Sequence, residues 1–358
     1  MSVAGLTLEP SAAEPPDADL GSKRRVFFAG LFVTTLIPLL LMPVLARVHP
    51  ESAGISAIRG LLVFLGGNAH VGLTAFFYTD RDLRGFFREH SVRYFWAPLA
   101  LILSTGFVYQ FVGDPWTPHI LVAYFVWQTY HYMRQNYGLL AFVAAATATG
   151  RPGWAERATL NLGVAAGILG LVRLMSLHTG TLLEGQEHLL YTAGLVTHAF
   201  VPVAFVAALL SNPRILSSPL RLVFFVLCAS FYLPTFLFDD LASAVLSYAL
   251  AHGLQYFVFM YYVGYRGGAG SPASRFLVLT LLGLSVGTLL TVMSDRATWG
   301  GVGDFVFGCY LGMVMSHFVV DAGLWRLGKR FQREYLLRSF GFVFATPGAG
   351  ARIEDPSS

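Results

Sequence analysis

Ten histidines stand in this sequence of 358 residues, and five of them occupy positions where a polar side chain is costly. His70, His131, His198, His252 and His317 lie deep inside long apolar runs, whereas His49, His90, His119, His178 and His188 fall at the ends of such runs or between them. Neutral imidazole is a common ligand for iron, copper and zinc, and an uncharged ligand suits a site of low dielectric. An ionisable group inside a membrane is a functional hypothesis in its own right. The plainer reading, a lone histidine hydrogen-bonding between helices, fits His198 best, because Thr197 and Ala199 give it little polar company.

The other four have polar neighbours at useful spacings. Asn68 stands two residues before His70. His131 sits in a polar run that includes Gln128, Arg134, Gln135 and Asn136. Gln255 follows His252 by three residues, and Asp321 follows His317 by four. Residues three or four apart share a helix face. A metal-bound histidine usually gives its second ring N–H to a carboxylate, amide or carbonyl. The expected metal ligands are therefore His70, His131, His252 and His317, with His198 as a further candidate. Asn68, Gln128 and Asn136 are expected to line a cofactor, and Asp321, Arg134, Gln135 and Gln255 to take part in chemistry. Asp321 has a competing reading as an interfacial ion pair with Arg326, and Arg134 must find an anion or reach the membrane surface.

The elements that carry these residues follow from composition. Hydrophobic residues make up 55% of the chain and charged residues 12%, against about 25% charged in ordinary soluble proteins. Mean hydropathy is +0.60. At roughly 20 residues per membrane helix, there is material for about ten spans. A soluble enzyme, a nucleic-acid-binding domain and a disulfide-stapled secreted module are excluded. The expectation is an all-α, polytopic integral membrane bundle with spans at 26–46, 57–79, 95–112, 119–144, 159–177, 189–210, 219–238, 241–263, 274–293 and 303–324.

Charge orients that bundle. Of the 24 Lys and Arg residues, Arg47, Arg59 and Arg296 fall in one set of alternating loops, and Arg134 and Arg173 lie inside spans. The remaining 19 fall in the other set and in the termini. The positive-inside rule then places both termini in the cytoplasm, and an inner (plasma) membrane of bacterial type is the expected location. The net charge of +4 and pI near 9.1 reflect this bias rather than a nucleic-acid partner. All five interior histidines fall on even-numbered spans, about 9 to 14 residues from the span start, which is a spread of about 7 Å in depth.

Residues 1–25 read as a disordered cytoplasmic tail, followed by a transmembrane domain over 26–325. Residues 326–358 read as a basic juxtamembrane segment and flexible tail, whose apolar patch at Phe340–Phe344 would lie in the membrane interface. The first apolar run is too long for a cleavable signal. Cys228 and Cys309 lie in apolar runs without metal-site spacing and read as packing residues. Asp239 and Asp240 read as a solvated cap in a tight turn.

Three functions suit this layout. The first is a metal-dependent membrane oxidoreductase, with non-haem iron and oxygen, acting on a lipophilic substrate that enters from the bilayer; copper and zinc are alternative metals. The HxxxH and HxxHH clusters of membrane fatty-acid desaturases do not occur. Asn68-Ala69-His70, Tyr130-His131-Tyr132, Ala251-His252-Gly253 and Ser316-His317-Phe318 resemble the one-histidine-per-helix pattern of Brp/Blh-type membrane carotene dioxygenases. That resemblance implies His70, His131, His252 and His317 as iron ligands. It departs from the family at Val71-Gly72-Leu73-Thr74, where the family tends to carry an acidic residue. The second function is a b-type haem protein for electron transfer or haem-dependent oxidation, with an electron donor as partner and Arg134 meeting a propionate. The third is a proton-coupled transporter, although no internal repeat supports it.

Overall fold

The computed structural model describes residues 17–47, 53–112, 116–180, 183, 185–266, 271–326 and 328–344, in helices joined by short turns and with no strand among them. In chain order the helices are α1 (Asp17–Arg47), α2 (Ala53–Val63), α3 (His70–Leu73), α4 (Ala75–Thr79), α5 (Arg81–Glu89), α6 (Ala97–Val112), α7 (Thr117–Ala146) and α8 (Trp154–Thr179). There follow α9 (Glu187–Ser211), α10 (Pro219–Ala229), α11 (Pro234–Leu237), α12 (Leu241–Arg266), α13 (Pro272–Ser294), α14 (Gly303–Leu324) and α15 (Arg330–Phe344). A π-helical turn over Phe64–Ala69 joins α2 to α3, and a second over Val92–Trp96 leads into α6.

Eight of the described helical stretches are long and apolar enough to cross a membrane. Every one of the ten expected spans falls on helix, but two depart from the expectation. α7 has ample length at 30 residues, yet its polar run around His131 keeps it from qualifying by hydropathy. The span expected at 219–238 is not one helix. α10 ends at Ala229 after 11 residues, a turn occupies 230–233, and α11 restarts at Pro234. Eleven residues reach about 16 Å, half the hydrocarbon thickness. Proline offers no amide hydrogen to an existing helix but is accepted at the start of a new one.

The termini also differ. α1 already begins at Asp17, so 17–25 are helical rather than a tail; residues 1–16 and 345–358 lie outside the described residues. The Phe340–Phe344 patch belongs to α15 and packs into the protein, not into a membrane interface. Phe340 is fully buried, with its ring 5.7, 5.3 and 5.6 Å from Phe27, Phe142 and Phe259. α15 is tied down by Tyr335, which donates to Asp80 Oδ2 at 3.0 Å, and by Arg338, which pairs with Asp82 at 2.8 Å. Arg275 reaches the same Asp80 oxygen at 3.0 Å. Burial holds the Tyr335 phenol well above its ordinary range, so it remains a donor.

Two charges have partners that the sequence pattern conceals. Asp239 pairs with Arg173 at 2.8 Å while its side chain stays 90% exposed, and Asp240 Oδ1 accepts from Ser243 N at 3.0 Å, so the two aspartates form the solvated cap expected there. Arg221, one of the topology-setting charges, is wholly buried. It grips both Glu156 oxygens at 2.6 and 2.9 Å and also donates to Thr149 O, Thr149 Oγ1 and Gly150 O. Cys228 and Cys309 are free and buried, as packing residues are.

Candidate metal centre

Close helix contacts bring four of the interior histidines together. The π-helical turn before His70 packs its backbone against α12. A Cβ on Gly253 would stand 2.8 Å from Gly66 O, and one on Gly66 would stand 2.7 Å from Leu250 Cα. On its other side, Gly287 faces Ala69 Cα at 2.8 Å by the same measure, and Gly72 faces Gly283 O at 2.9 Å. Small residues at these contacts let the backbones approach, as membrane helices require. Asn68 adds a hydrogen bond from Nδ2 to Thr291 Oγ1 of α13 at 2.9 Å. π-helical turns are frequent at functional sites because they re-aim the residues that follow.

His70, His131, His252 and His317 form a four-ring cluster. Ring centroids are 4.9 Å apart for His70–His252, 5.0 Å for His131–His252, and 5.1 Å for both His70–His317 and His131–His317. His252 and His317 stand 6.4 Å apart. With metal–nitrogen bonds of about 2.1 Å and a ring nitrogen about 1.2 Å from its centroid, two imidazoles side by side on one ion stand about 4.6 to 5.4 Å apart. The four short separations fall in that range. Ligand atoms of His70, His252 and His317 lie within 4.8 Å of one another, as do those of His131, His317 and Asp321. All five residues are buried, with His131 the most open at 8% exposure.

Six ring nitrogens in the cluster are buried without a hydrogen-bond partner among the described residues: both of His70, both of His252, Nε2 of His131 and Nε2 of His317. Unpaired buried polar atoms at this density are rare in folded proteins.

One histidine has its proton placed by its neighbours. Tyr256 donates to Asp321 Oδ1 at 3.0 Å. A phenol has one proton, so Tyr256 Oη must accept from Thr74 Oγ1, 3.1 Å away. Thr74 has then used its own proton and accepts from His317 Nδ1 at 2.6 Å. With Asp321 as the acceptor, this chain places the His317 hydrogen on Nδ1 and leaves Nε2 with its lone pair free. That lone pair lies 3.6 Å from Asp321 Oδ2. The two atoms are close enough to share one cation, a metal ion or a proton.

The remaining expected site residues fall outside this constellation in different ways. Gln135 donates to Gln255 Oε1 at 2.9 Å and to the His252 carbonyl at 3.1 Å, and Gln255 donates to Thr35 of α1 at 2.7 Å. Both glutamines tie α7, α12 and α1 together, as positioning groups. Gln128 is buried on α7. Asn136 is buried with neither amide atom partnered among the described residues. Arg134 is exposed and lies over the Tyr137 ring at 5.8 Å, so it is not brought into the cluster. His198 stands apart, its ring beside Phe236 at 5.6 Å. Asp321 joins the cluster, and Arg326 bonds to Ala322 O instead.

Thr74, Tyr256 and Tyr132 belong to the site and were not among the expected residues. Tyr132 lays its ring 4.1 Å from His252. The spacing does hold a signal. Thr74, Gln135, Tyr256 and Asp321 each follow one of the four histidines by four residues. The cluster therefore has a second polar layer one turn further along each helix. Thr74, Tyr256 and Asp321 meet in that layer while their histidines meet in the first, which requires α3–α4, α12 and α14 to run in the same direction.

Compared with known protein families, curated proteins and solved structures, the chain matches none of them.

Proposed function

We propose that the protein is a multi-pass integral membrane oxidoreductase whose single metal ion, iron, is held by His70, His131, His252 and His317, with Asp321 beside it. The observation that carries this reading is the four-ring cluster itself, with Asp321 Oδ2 3.6 Å from His317 Nε2 and six ring nitrogens unpartnered among the described residues. The donor set fits the group: neutral imidazoles with one nearby carboxylate suit iron as they suit copper and zinc, and of these zinc has no redox chemistry. Bound iron would supply oxygen activation and one-electron chemistry. The chain's own residues hold the ion, fix the His317 tautomer through Thr74 and Tyr256, and exclude water by burial. The substrate is lipophilic, since a site among membrane helices is reached from the hydrocarbon.

Haem fits less well. A porphyrin must lie between its two axial imidazoles, and its plane would take the space that the other two rings of the cluster fill. The charge bias of the loops favours cytoplasmic termini in a plasma membrane, with ten passes if the broken α10–α11 segment is counted as one.

The test is metal analysis of the purified protein. Wild type is expected to hold about one iron per chain with no haem absorption band. His131→Ala and His252→Ala are expected to lose it. Unchanged metal in both variants, or a stoichiometric haem spectrum, would overturn the reading.

A further inference from the structure

α7 presents one continuous outward stripe, and its composition is unusual for a surface that faces lipid. His119, Ala123, Trp127, Tyr130, Arg134, Gly138 and Ala145 are its exposed residues. At about 100° per residue they lie on one side of the helix. Trp127 and Tyr130 are 37% and 49% exposed. Arg134 has no carboxylate within ion-pair distance among the described residues, and its recorded neighbour is the Tyr137 ring.

With α7 upright and centred in the hydrocarbon layer, reaching the membrane surface does not resolve that charge. α7 is about 45 Å long, so it overhangs a hydrocarbon layer of about 30 Å by about 7 Å at each end. Arg134 stands 12 residues before Ala146, the end of α7, which is about 18 Å along the axis and therefore about 11 Å inside the boundary. An arginine side chain extends about 7 Å. So placed, the guanidinium stays inside the hydrocarbon, where it is met best by an anion carried on an apolar chain, each charge offsetting the other's desolvation. A phospholipid head group resides at the surface, whereas a carboxylate on a hydrocarbon chain can be drawn to this depth.

The stripe also leads to the histidines. His131 is about 60° round the helix from Arg134 and about 40° from Trp127. Phe318 stacks on His131 at 4.3 Å and meets the Trp127 ring at 6.0 Å. An apolar chain lying on Trp127 is separated from His131 by one ring.

On the reading of the site as one with a lipophilic substrate, we infer that this stripe docks a long-chain carboxylic acid, with Arg134 binding the carboxylate and Trp127 and Tyr130 bedding the chain beside His131. The substrate class is then a lipophilic acid rather than a neutral hydrocarbon or a phospholipid.

Fluorescence quenching tests this directly. In detergent-solubilised full-length protein, 9,10-dibromostearic acid is expected to quench Trp127 saturably, the Trp127 share being the signal lost in Trp127→Phe. Arg134→Gln is expected to weaken the apparent affinity at least tenfold, and Arg134→Lys less than threefold. The methyl ester of the same acid and a phosphatidylglycerol with dibrominated chains are expected to show no saturation. Equal quenching by acid and ester, saturable quenching by the phospholipid, or an unchanged affinity in Arg134→Gln overturns the inference. Should Arg134→Gln not fold, the acid-against-ester comparison in wild type decides it. Metal content measured on the same samples separates this from the metal reading. Acid-selective quenching in a metal-free wild type leaves the docking in place and removes the metal centre. One bound iron without acid selectivity does the reverse.

Discussion

The histidine cluster and the Arg221–Glu156 pair are both polar groups buried in an apolar bundle, and their surroundings complete them differently. Arg221 has both Glu156 oxygens, two backbone carbonyls and a threonine hydroxyl around it. Its charge is met within the fold, and the groups it touches come from the loop and helix start that it fastens. The four imidazoles, in contrast, carry six nitrogens unpartnered among the described residues, and one ligand atom of each ring lies within 4.8 Å of those of its neighbours or of Asp321. A buried group that is answered by its neighbours is holding the fold together. A cluster of buried groups left unanswered is a candidate place for something else to bind.

The comparison can be broken from either side. The largest effect is expected at the clasp. Arg221→Ala strands a buried carboxylate and should cost about 3–5 kcal/mol, seen as a large drop in melting temperature, while the folded fraction keeps its full metal. His252→Ala should do the opposite, losing metal with the fold retained. If both variants lose stability alike and neither changes metal content, the distinction between the two regions fails.

A smaller effect is expected where the cluster borrows its order from the fold. Thr74→Val removes the acceptor that places the proton on His317 Nδ1, and should weaken metal binding about 10–100-fold. Thr74→Ser keeps the hydroxyl and should bind metal as wild type does. Equal affinities in the Val and Ser variants, measured by competition with a chelator, would show that Thr74 merely fills space. The smallest effect is expected at His198. Its replacement by Ala should leave metal stoichiometry unchanged, because its ring meets Phe236 and not the other four histidines.

The histidines and Asp321 are legible in the sequence because a polar residue in an apolar run is conspicuous and costly. Thr74 and Tyr256 are harder to see. Threonine and tyrosine are ordinary in membrane helices, and their place four residues after His70 and His252 gains meaning only when they bond across helices. Gln135 and Gln255 mislead for the same reason: their spacing is right, but their amides reach each other and Thr35. The interruption after Ala229 is signalled by Pro234, yet Pro202 lies within α9 without ending it, so proline alone does not tell a break from a tolerated kink.

Composition and pattern determined by themselves that this chain is helical and how far along each helix its polar residues stand. The reason is one-dimensional. Backbone groups in hydrocarbon must bond within their own helix, and each residue then adds a constant rise, so position in the chain translates into depth. Direction around the helix is another matter. His131 and Arg134 are three residues apart on α7, yet one faces the cluster and the other faces outward. Which side turns inward depends on where glycine lets a neighbouring backbone approach and where a π-helical turn shifts the register. Those are contacts between helices distant in sequence, and only the tertiary structure decides them.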